Sequence, residues 1–401
     1  MEFKVPIGPQ HPALKEPISL RMTFEGEIIK DVDIRLGYNH RGVEKLAEQK
    51  TYIQNLHLTE RICGICSHSH STAFAQGVEQ LMGIQPARRG LFIRTLVSEL
   101  ERVHSHLLWL GVAGHEAGFD SFFMYVWRDR ETVMDILEIV SGNRVHYAIN
   151  TFGGVRRDID DVQKKNILDS LALLRKRTSF YTNLGTTEPT FVARIAGVGL
   201  LPRQRAIDLC AQGPTLRASG IPRDVRRDDP YGIYGEIPFE VCTAESCDVL
   251  GRVVVRVKEL IQSYAIIEYV LKNLPPGDIR VKAPRRVKEG EVFSRYEAPR
   301  GENVHYIKSN GTDKPERLKV RAPTLANYPA TVEMLKNGYI ADIPLVFAAI
   351  DPCICCAERM VELVDCRSGE STVRSMTDLR KQFLERIPRV PLAEKVDAWP
   401  F

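Results

Sequence analysis

The sequence has no window of about 18 uninterrupted apolar residues, so no membrane-crossing helix is expected from it. It has no Lys/Arg run that reads as a nucleic-acid arm, and a net charge of +4 over 401 residues is too small to call for an anionic partner. No nucleic acid is therefore expected among its partners. Low-complexity tracts and internal repeats are absent as well. The stretch Met1 to Pro12 lacks the apolar core of a secretory signal, so any membrane attachment is expected through partner subunits. An even, disulfide-ready set of cysteines is also missing: there are nine, Cys63, Cys66, Cys210, Cys242, Cys247, Cys353, Cys355, Cys356 and Cys366. An odd count without a signal argues against a disulfide framework. Five of the nine fall in two tight clusters, which reads as metal binding in a reducing compartment.

Periodicity gives the fold class. Ile18, Leu20, Met22 and Phe24 alternate, Glu25-Gly26 turns, and Ile28, Val32 and Ile34 follow, so a small antiparallel sheet is expected near the start. From about Arg41 the pattern turns helical. Ile93, Leu96, Val97, Leu100, Val103, Leu107 and Leu110 mark a long amphipathic helix, and Val162 to Phe180 another. A third runs from Leu250 to Leu271 and is stopped by Pro275-Pro276-Gly277. Val281 to Val320 reads as a second β-rich patch. Asp342 is expected to cap a short segment with Pro344 in its first turn. The expectation is a mainly α chain with minor β (α+β), in which residues 1–359 form one domain and 360–401 an extension. That extension has a strand-like Val361 to Val364 and an amphipathic run near Met376 to Ile387.

The first cluster is Arg61-Ile62-Cys63-Gly64-Ile65-Cys66, with His70 following; the second is Asp351-Pro352-Cys353-Ile354-Cys355-Cys356, with Arg359 following. In each, two thiolates three residues apart can face one metal. Four thiolates form a soft site suited to zinc, iron–sulfur or nickel. Spacing leaves a structural zinc site open, although zinc ribbons usually separate their pairs by about 15–20 residues. Cys355 is read as a small buried residue beside the site.

The flanking residues resemble the large subunits of [NiFe]-hydrogenases, in which R-x-C-G-x-C-x-x-x-H and D-P-C-x-x-C-x-x-H/R hold the bimetallic centre. Both motifs are complete here, and the ending in Arg359 resembles the membrane-associated, energy-converting branch. The resemblance implies that Cys63 and Cys353 are terminal nickel ligands, that Cys66 and Cys356 bridge nickel and iron, and that the iron carries CO and cyanide. Arg41-Gly42-Val43-Glu44 is similar to the family's R-G-x-E, which implies that Glu44 relays protons. Glu297-Ala298-Pro299-Arg300-Gly301 is similar to E-A-P-R-G, which implies that Arg300 overhangs the metals and is held by Asp351. Uptake members carry an aspartate between two histidines where this chain has His104-Ser105-His106. His106 or His70 would orient cluster thiolates.

Further stretches resemble the related 49 kDa-type subunit of respiratory complex I: Gly8 to Pro12, Thr151 to Ile159, Leu216 to Tyr231 and Asp248 to Ser263. Those subunits have lost the nickel cysteines and bind quinone through a loop that here reads Ala13-Leu14-Lys15-Glu16-Pro17. A third relative reduces sulfane sulfur. With all four cysteines retained, the resemblance implies a catalytic subunit that interconverts protons and H2. Its electrons would come from ferredoxin or a ferredoxin-like subunit through an Fe–S cluster on a small partner subunit. Membrane ion-translocating subunits would hold it, peripherally, on the cytoplasmic side of the cell membrane. The resemblance also implies a maturation cut between Arg359 and Met360.

Overall fold

Alternation at the start produces a three-stranded antiparallel sheet, β1 (Glu2–Ile7), β2 (Ser19–Glu25) and β3 (Ile28–Arg35), in that order. The computed structural model describes residues 2–12, 14–358, 360–365 and 368–375. Leu20, Met22 and Phe24 are the buried face of β2. Gly26, at φ 62, supplies the left-handed residue of the two-residue turn into β3. The expected strand pattern is thus present.

Helices then take over: α1 (Val43–Ala47), α2 (Tyr52–Glu60), α3 (Ser67–Met82), α4 (Arg88–Glu116) and α5 (Asp120–Ser141). A minimal hairpin, β4 (Asn150–Thr151) with β5 (Gly154–Val155), precedes α6 (Asp161–Thr187). Asp160 starts α6 through a capping box with Gln163, whose N–H donates to Asp160 Oδ1 at 2.7 Å. Four short helices follow, α7 (Pro189–Ile195), α8 (Arg203–Asp208), α9 (Gly213–Arg217) and α10 (Val225–Asp228), and then the long α11 (Val249–Lys272). The second β-rich patch is an antiparallel meander of β6 (Gly290–Ala298), β7 (Gly301–Ser309) and β8 (Pro315–Arg321). After it come α12 (Pro323–Leu335), α13 (Ile343–Ala349), α14 (Ile354–Ala357) and a hairpin of β9 (Met360–Val364) with β10 (Ser371–Ser375). The chain is therefore mainly helical with small antiparallel sheets, as the periodicity predicts. Arg359, Cys366 and the expected run from Met376 to Ile387 lie outside the described residues.

Two details depart from the sequence reading. Asp342 does not cap α13 with its side chain; its Oδ1 accepts from Arg194 Nη1 at 2.6 Å, because an ion pair is the stronger partner for that carboxylate. Helix α4 is apolar on one face, where Leu96, Leu100, Val103 and Leu107 join the main core. Its polar residues Arg94, Glu99, Glu101, Arg102, His104, Ser105 and His106 are nevertheless buried too. Their partners are groups on α3, α5, α10, α11 and the β6–β7 hairpin instead of water.

A second apolar cluster positions the site. Phe74 and Val78 of α3 pack with Ile307, Leu318 and Val320 of the meander, and the four motif cysteines sit in the same cluster. Close approach of α3 to this sheet requires a small residue at Gly77, where a Cβ would lie 3.0 Å from Ile307 Cδ1 and Ser294 Cβ.

Candidate metal centre

The first cysteine loop is shaped by the start of α3. Cys66 is the N-cap, and the N–H groups of Ile65 and Cys66 point at Cys63 Sγ, at 3.2 and 3.3 Å. Arg41 clamps the approach, donating to the carbonyls of Arg61 and Ile62 at 2.7 Å each. The second loop begins where Asp351 leaves α13 in the left-handed region, φ 56, with its N–H on Ala348 O at 2.8 Å. Aspartate is among the few residues that tolerate this conformation. Thr324 Oγ1 accepts from Cys353 N at 3.1 Å, and Glu16 Oε2 accepts from Cys355 N at 2.6 Å.

These two loops, 290 residues apart in sequence, place their sulfurs together. Cys63 Sγ lies 3.1 Å from Cys353 Sγ and 3.2 Å from Cys66 Sγ, and Cys353 Sγ lies 2.8 Å from Cys356 Sγ. None is a disulfide, whose S–S bond is about 2.05 Å. Cys63, Cys66, Cys353 and Cys356 are all buried. Cys355, half-buried, brings a fifth sulfur to 3.5 Å from Cys353 Sγ, so it belongs to the cluster rather than standing beside it. Hydrogen bonds from the neighbouring thiols, Cys353 first, hold the Cys63 pKa well below the ordinary thiol value. A buried, sulfur-only donor set with one thiol already biased to thiolate fits a soft transition metal.

His70 lies on the first turn of α3 and points at the cluster, its Nε2 3.4 Å from Cys356 Sγ. Its Nδ1 faces His305 Nε2 at 3.1 Å and the Asn303 amide nitrogen at 3.3 Å. Both can donate to Nδ1, which leaves the His70 proton on Nε2, aimed at the sulfur. His106, the other candidate, points away: its Nε2 bonds Glu259 at 2.7 Å.

Arg300 sits at the tip of the two-residue turn joining β6 to β7, between paired Ala298 and Gly301. Only glycine fits at Gly213, φ 61, which backs this tip: a Cβ there would lie 2.3 Å from Arg300 O. The guanidinium donates to Asp351 O at 2.7 Å, to Asp351 Oδ1 at 2.6 Å and to Ser105 Oγ at 3.2 Å. The serine between the two histidines therefore reaches this arginine. Burial opposes the charge of Arg300, but Asp351 and the sulfurs of Cys66, Cys353 and Cys63 outweigh it, so its pKa stands well above the usual value. Burial raises the Asp351 pKa against the pull of Arg300.

Beneath the hairpin lies a buried ion network. Arg217 pairs with Glu259 and Glu297 at 2.8 Å each, Arg226 with Asp224 at 2.7 Å and Glu99 at 3.0 Å. Arg102 donates to Glu297 O at 2.6 Å. The stretches Leu216 to Tyr231 and Asp248 to Ser263 thus supply the charges that anchor the strand carrying Arg300. Glu44, half-buried on α1, accepts from Val320 N at 2.9 Å. Val320 belongs to the apolar cluster that also holds the cysteines, so the meander ties Glu44 to the edge of that cluster.

A helical chain with a buried sulfur cluster built from two distant loops is similar to the large subunits related to complex I. The model described as "Respiratory-chain NADH dehydrogenase, 49 Kd subunit" matches residues 116–289 and 280–359, and "Nickel-dependent hydrogenase" matches 41–111. The membrane-bound hydrogenase subunit alpha of Pyrococcus furiosus is 40% identical over 99% of this chain and 96% of its own. A subunit of the NADH-quinone oxidoreductase of Dehalococcoides mccartyi is 39% identical over 87% of this chain and 96% of its own. Among solved structures, an archaeal membrane-bound sulfane sulfur reductase superposes with a TM-score of 0.85 at 31% identity, covering 89% of this chain and 98% of that one. The chain belongs to the [NiFe]-hydrogenase large-subunit family, in the membrane-bound, energy-converting branch related to the complex I 49 kDa subunit. Among the described residues no helix is long and apolar enough to cross a membrane.

Proposed function

We propose that this chain is the catalytic large subunit of an energy-converting [NiFe]-hydrogenase that interconverts protons and H2. The observation that carries this reading is the convergence of Cys63, Cys66, Cys353 and Cys356 into one buried sulfur cluster beneath the Arg300–Asp351 pair. Cys63, Cys66, Cys353 and Cys356 would together hold a nickel and an iron, the iron carrying CO and cyanide. When bound, such a pair of metals would polarise H2 and exchange electrons. The protein contributes the surroundings. Arg300 keeps a fixed positive charge at the cluster, oriented by Asp351 and Ser105. His70 donates to Cys356 Sγ and steadies its charge. Glu44 is the carboxylate assigned to carry protons away from the sulfurs.

Electrons would arrive from a ferredoxin-type donor through an Fe–S cluster on a small partner subunit, and ion-translocating membrane subunits would hold the chain at the cytoplasmic face. Residues 360–401 would be removed after metal insertion, so the mature subunit in active enzyme should lack the mass of that segment. Infrared spectroscopy of the purified complex, with nickel analysis, tests the reading: absorption from iron-bound CO and cyanide with stoichiometric nickel is expected. A second reading, sulfane sulfur reduction, is favoured by the likeness to that reductase. It predicts a nickel-free complex that is inert to H2 and active on polysulfide.

A further inference from the structure

Glu101 differs from the buried glutamates that are held by arginine. Glu60, Glu79, Glu99, Glu259, Glu297 and Glu302 each have a guanidinium within ion-pair distance. Glu101, on α4 and wholly buried, instead takes hydrogen bonds alone: from His68 N at 2.6 Å, from Ser69 N at 3.0 Å and from Ser69 Oγ. These amides belong to the first turn of α3, the helix whose N-cap is Cys66. The carboxyl therefore fills the anion-binding end of the helix that presents a cluster cysteine.

The groups around Glu101 hold their own charges fixed. Burial depresses the His68 pKa to about 3, so its ring is neutral. Burial raises the hydroxyl pKa values of Tyr147, on the loop before β4, and of Tyr296, on β6, so both remain protonated. Among the described residues, the charge that acts most strongly on Glu101 is that of Cys63. Burial, opposed by the Ser69 and His68 donors, pushes the Glu101 pKa up to about 8. With no guanidinium within ion-pair distance among the described residues, its protonation state is open to the charge of the sulfur centre.

We propose that Glu101 is a positioning, proton-exchanging carboxyl of the cysteine centre, pinning the α3 turn that presents Cys66 and taking up a proton when the centre gains an electron. The step balances simply. One electron enters the centre from a low-potential donor, one proton from water adds to a Glu101 carboxylate oxygen, and reoxidation reverses both. No bond to sulfur is made or broken. Ser69 Oγ, a donor to the carboxylate, turns to accept from the new carboxylic O–H. This inference rests on the proposal that the sulfurs hold a redox-active metal.

The test is a reduced-minus-oxidised infrared difference spectrum of the purified complex, wild type and Glu101→Gln, in H2O and D2O, at a pH near or just above 8 where the carboxyl is at least half ionised before reduction. The wild type should gain a carboxylic C=O band that shifts in D2O, and Glu101→Gln should lack it while keeping its metal, since the glutamine oxygen still accepts the α3 amides. Glu101→Ala, which cannot, should bind metal about 10-fold more weakly or worse. Should Glu101→Gln not assemble, Glu101→Asp serves as the variant, with the band moved to an aspartic frequency. The same carboxylic band in wild type and variant, or no such band in the wild type, overturns the assignment. Absence of iron-bound CO and cyanide bands would sink the nickel–iron reading alone, because any redox metal on these sulfurs would still drive the carboxyl band.

Discussion

The two cysteine loops hold their sulfurs by opposite means. The first grows out of a helix start: Cys63 Sγ takes backbone N–H groups, Cys66 is the N-cap residue of α3, and a buried carboxyl with no ion-pair partner among the described residues, Glu101, sits behind that turn. The second hangs between α13 and α14 from a left-handed aspartate, a threonine hydroxyl and Glu16, and a buried cation, Arg300, leans over it. The first side offers an adjustable charge and the second a fixed one.

Breaking either loop at sulfur should have the largest effect. Cys63→Ser and Cys353→Ser should each abolish metal binding and activity, read by metal analysis of the purified complex. Equal loss from both ends is the mark of one shared site, and metal retained in full by either variant would separate them. Arg300→Lys comes next. A lysine cannot donate to Asp351 and Ser105 in the same fork, so activity should fall about 10²- to 10³-fold with metal content unchanged. Gly213→Ala tests the support of that arginine. A Cβ 2.3 Å from Arg300 O, at φ 61, should lower stability by about 1–3 kcal/mol in denaturant titration. Thr324→Val removes one hydrogen bond from the second loop and should cost about 1 kcal/mol by the same measurement.

The smallest effect is a change of slope. Burial raises the Glu101 pKa from an ordinary 4.5 to about 8, so between those values the folded chain binds a proton that the unfolded chain does not. Its contribution to stability is complete below about 4.5 and declines as the pH rises towards about 8. Glu101→Gln removes that decline. The variant should therefore gain on the wild type in Tm as the pH rises through this window, and a constant difference would show the carboxyl to be charged throughout.

The same contrast explains what was legible in the sequence. Ligand pairs are local: Cys63 with Cys66 and Cys353 with Cys356 follow from spacing, and the family motifs pointed to Arg300 and Asp351, which lie together in the structure. Helices α4, α6 and α11 followed from apolar periodicity. The surroundings of the sulfurs were not legible, because they depend on which distant residues meet. Burial of the polar face of α4 is the clearest case: polar residues normally point to water, but Arg226, Glu259 and Glu297 arrive from other elements to satisfy it. His106 looked like a partner for the thiolates and turns to Glu259 for this reason, whereas His70, on the helix that starts at Cys66, faces Cys356. Glu101 and Ser105 share one α4 face, four residues apart, and that spacing was the available signal for a second polar stripe aimed at the centre.

Nickel X-ray absorption of the purified complex tests most directly whether both loops build one nickel site. A shared centre predicts nickel with four sulfur neighbours, reduced in number when any one of Cys63, Cys66, Cys353 or Cys356 is replaced by serine. Zinc in a four-sulfur shell with no nickel, or nickel surrounded mainly by nitrogen and oxygen, would contradict it.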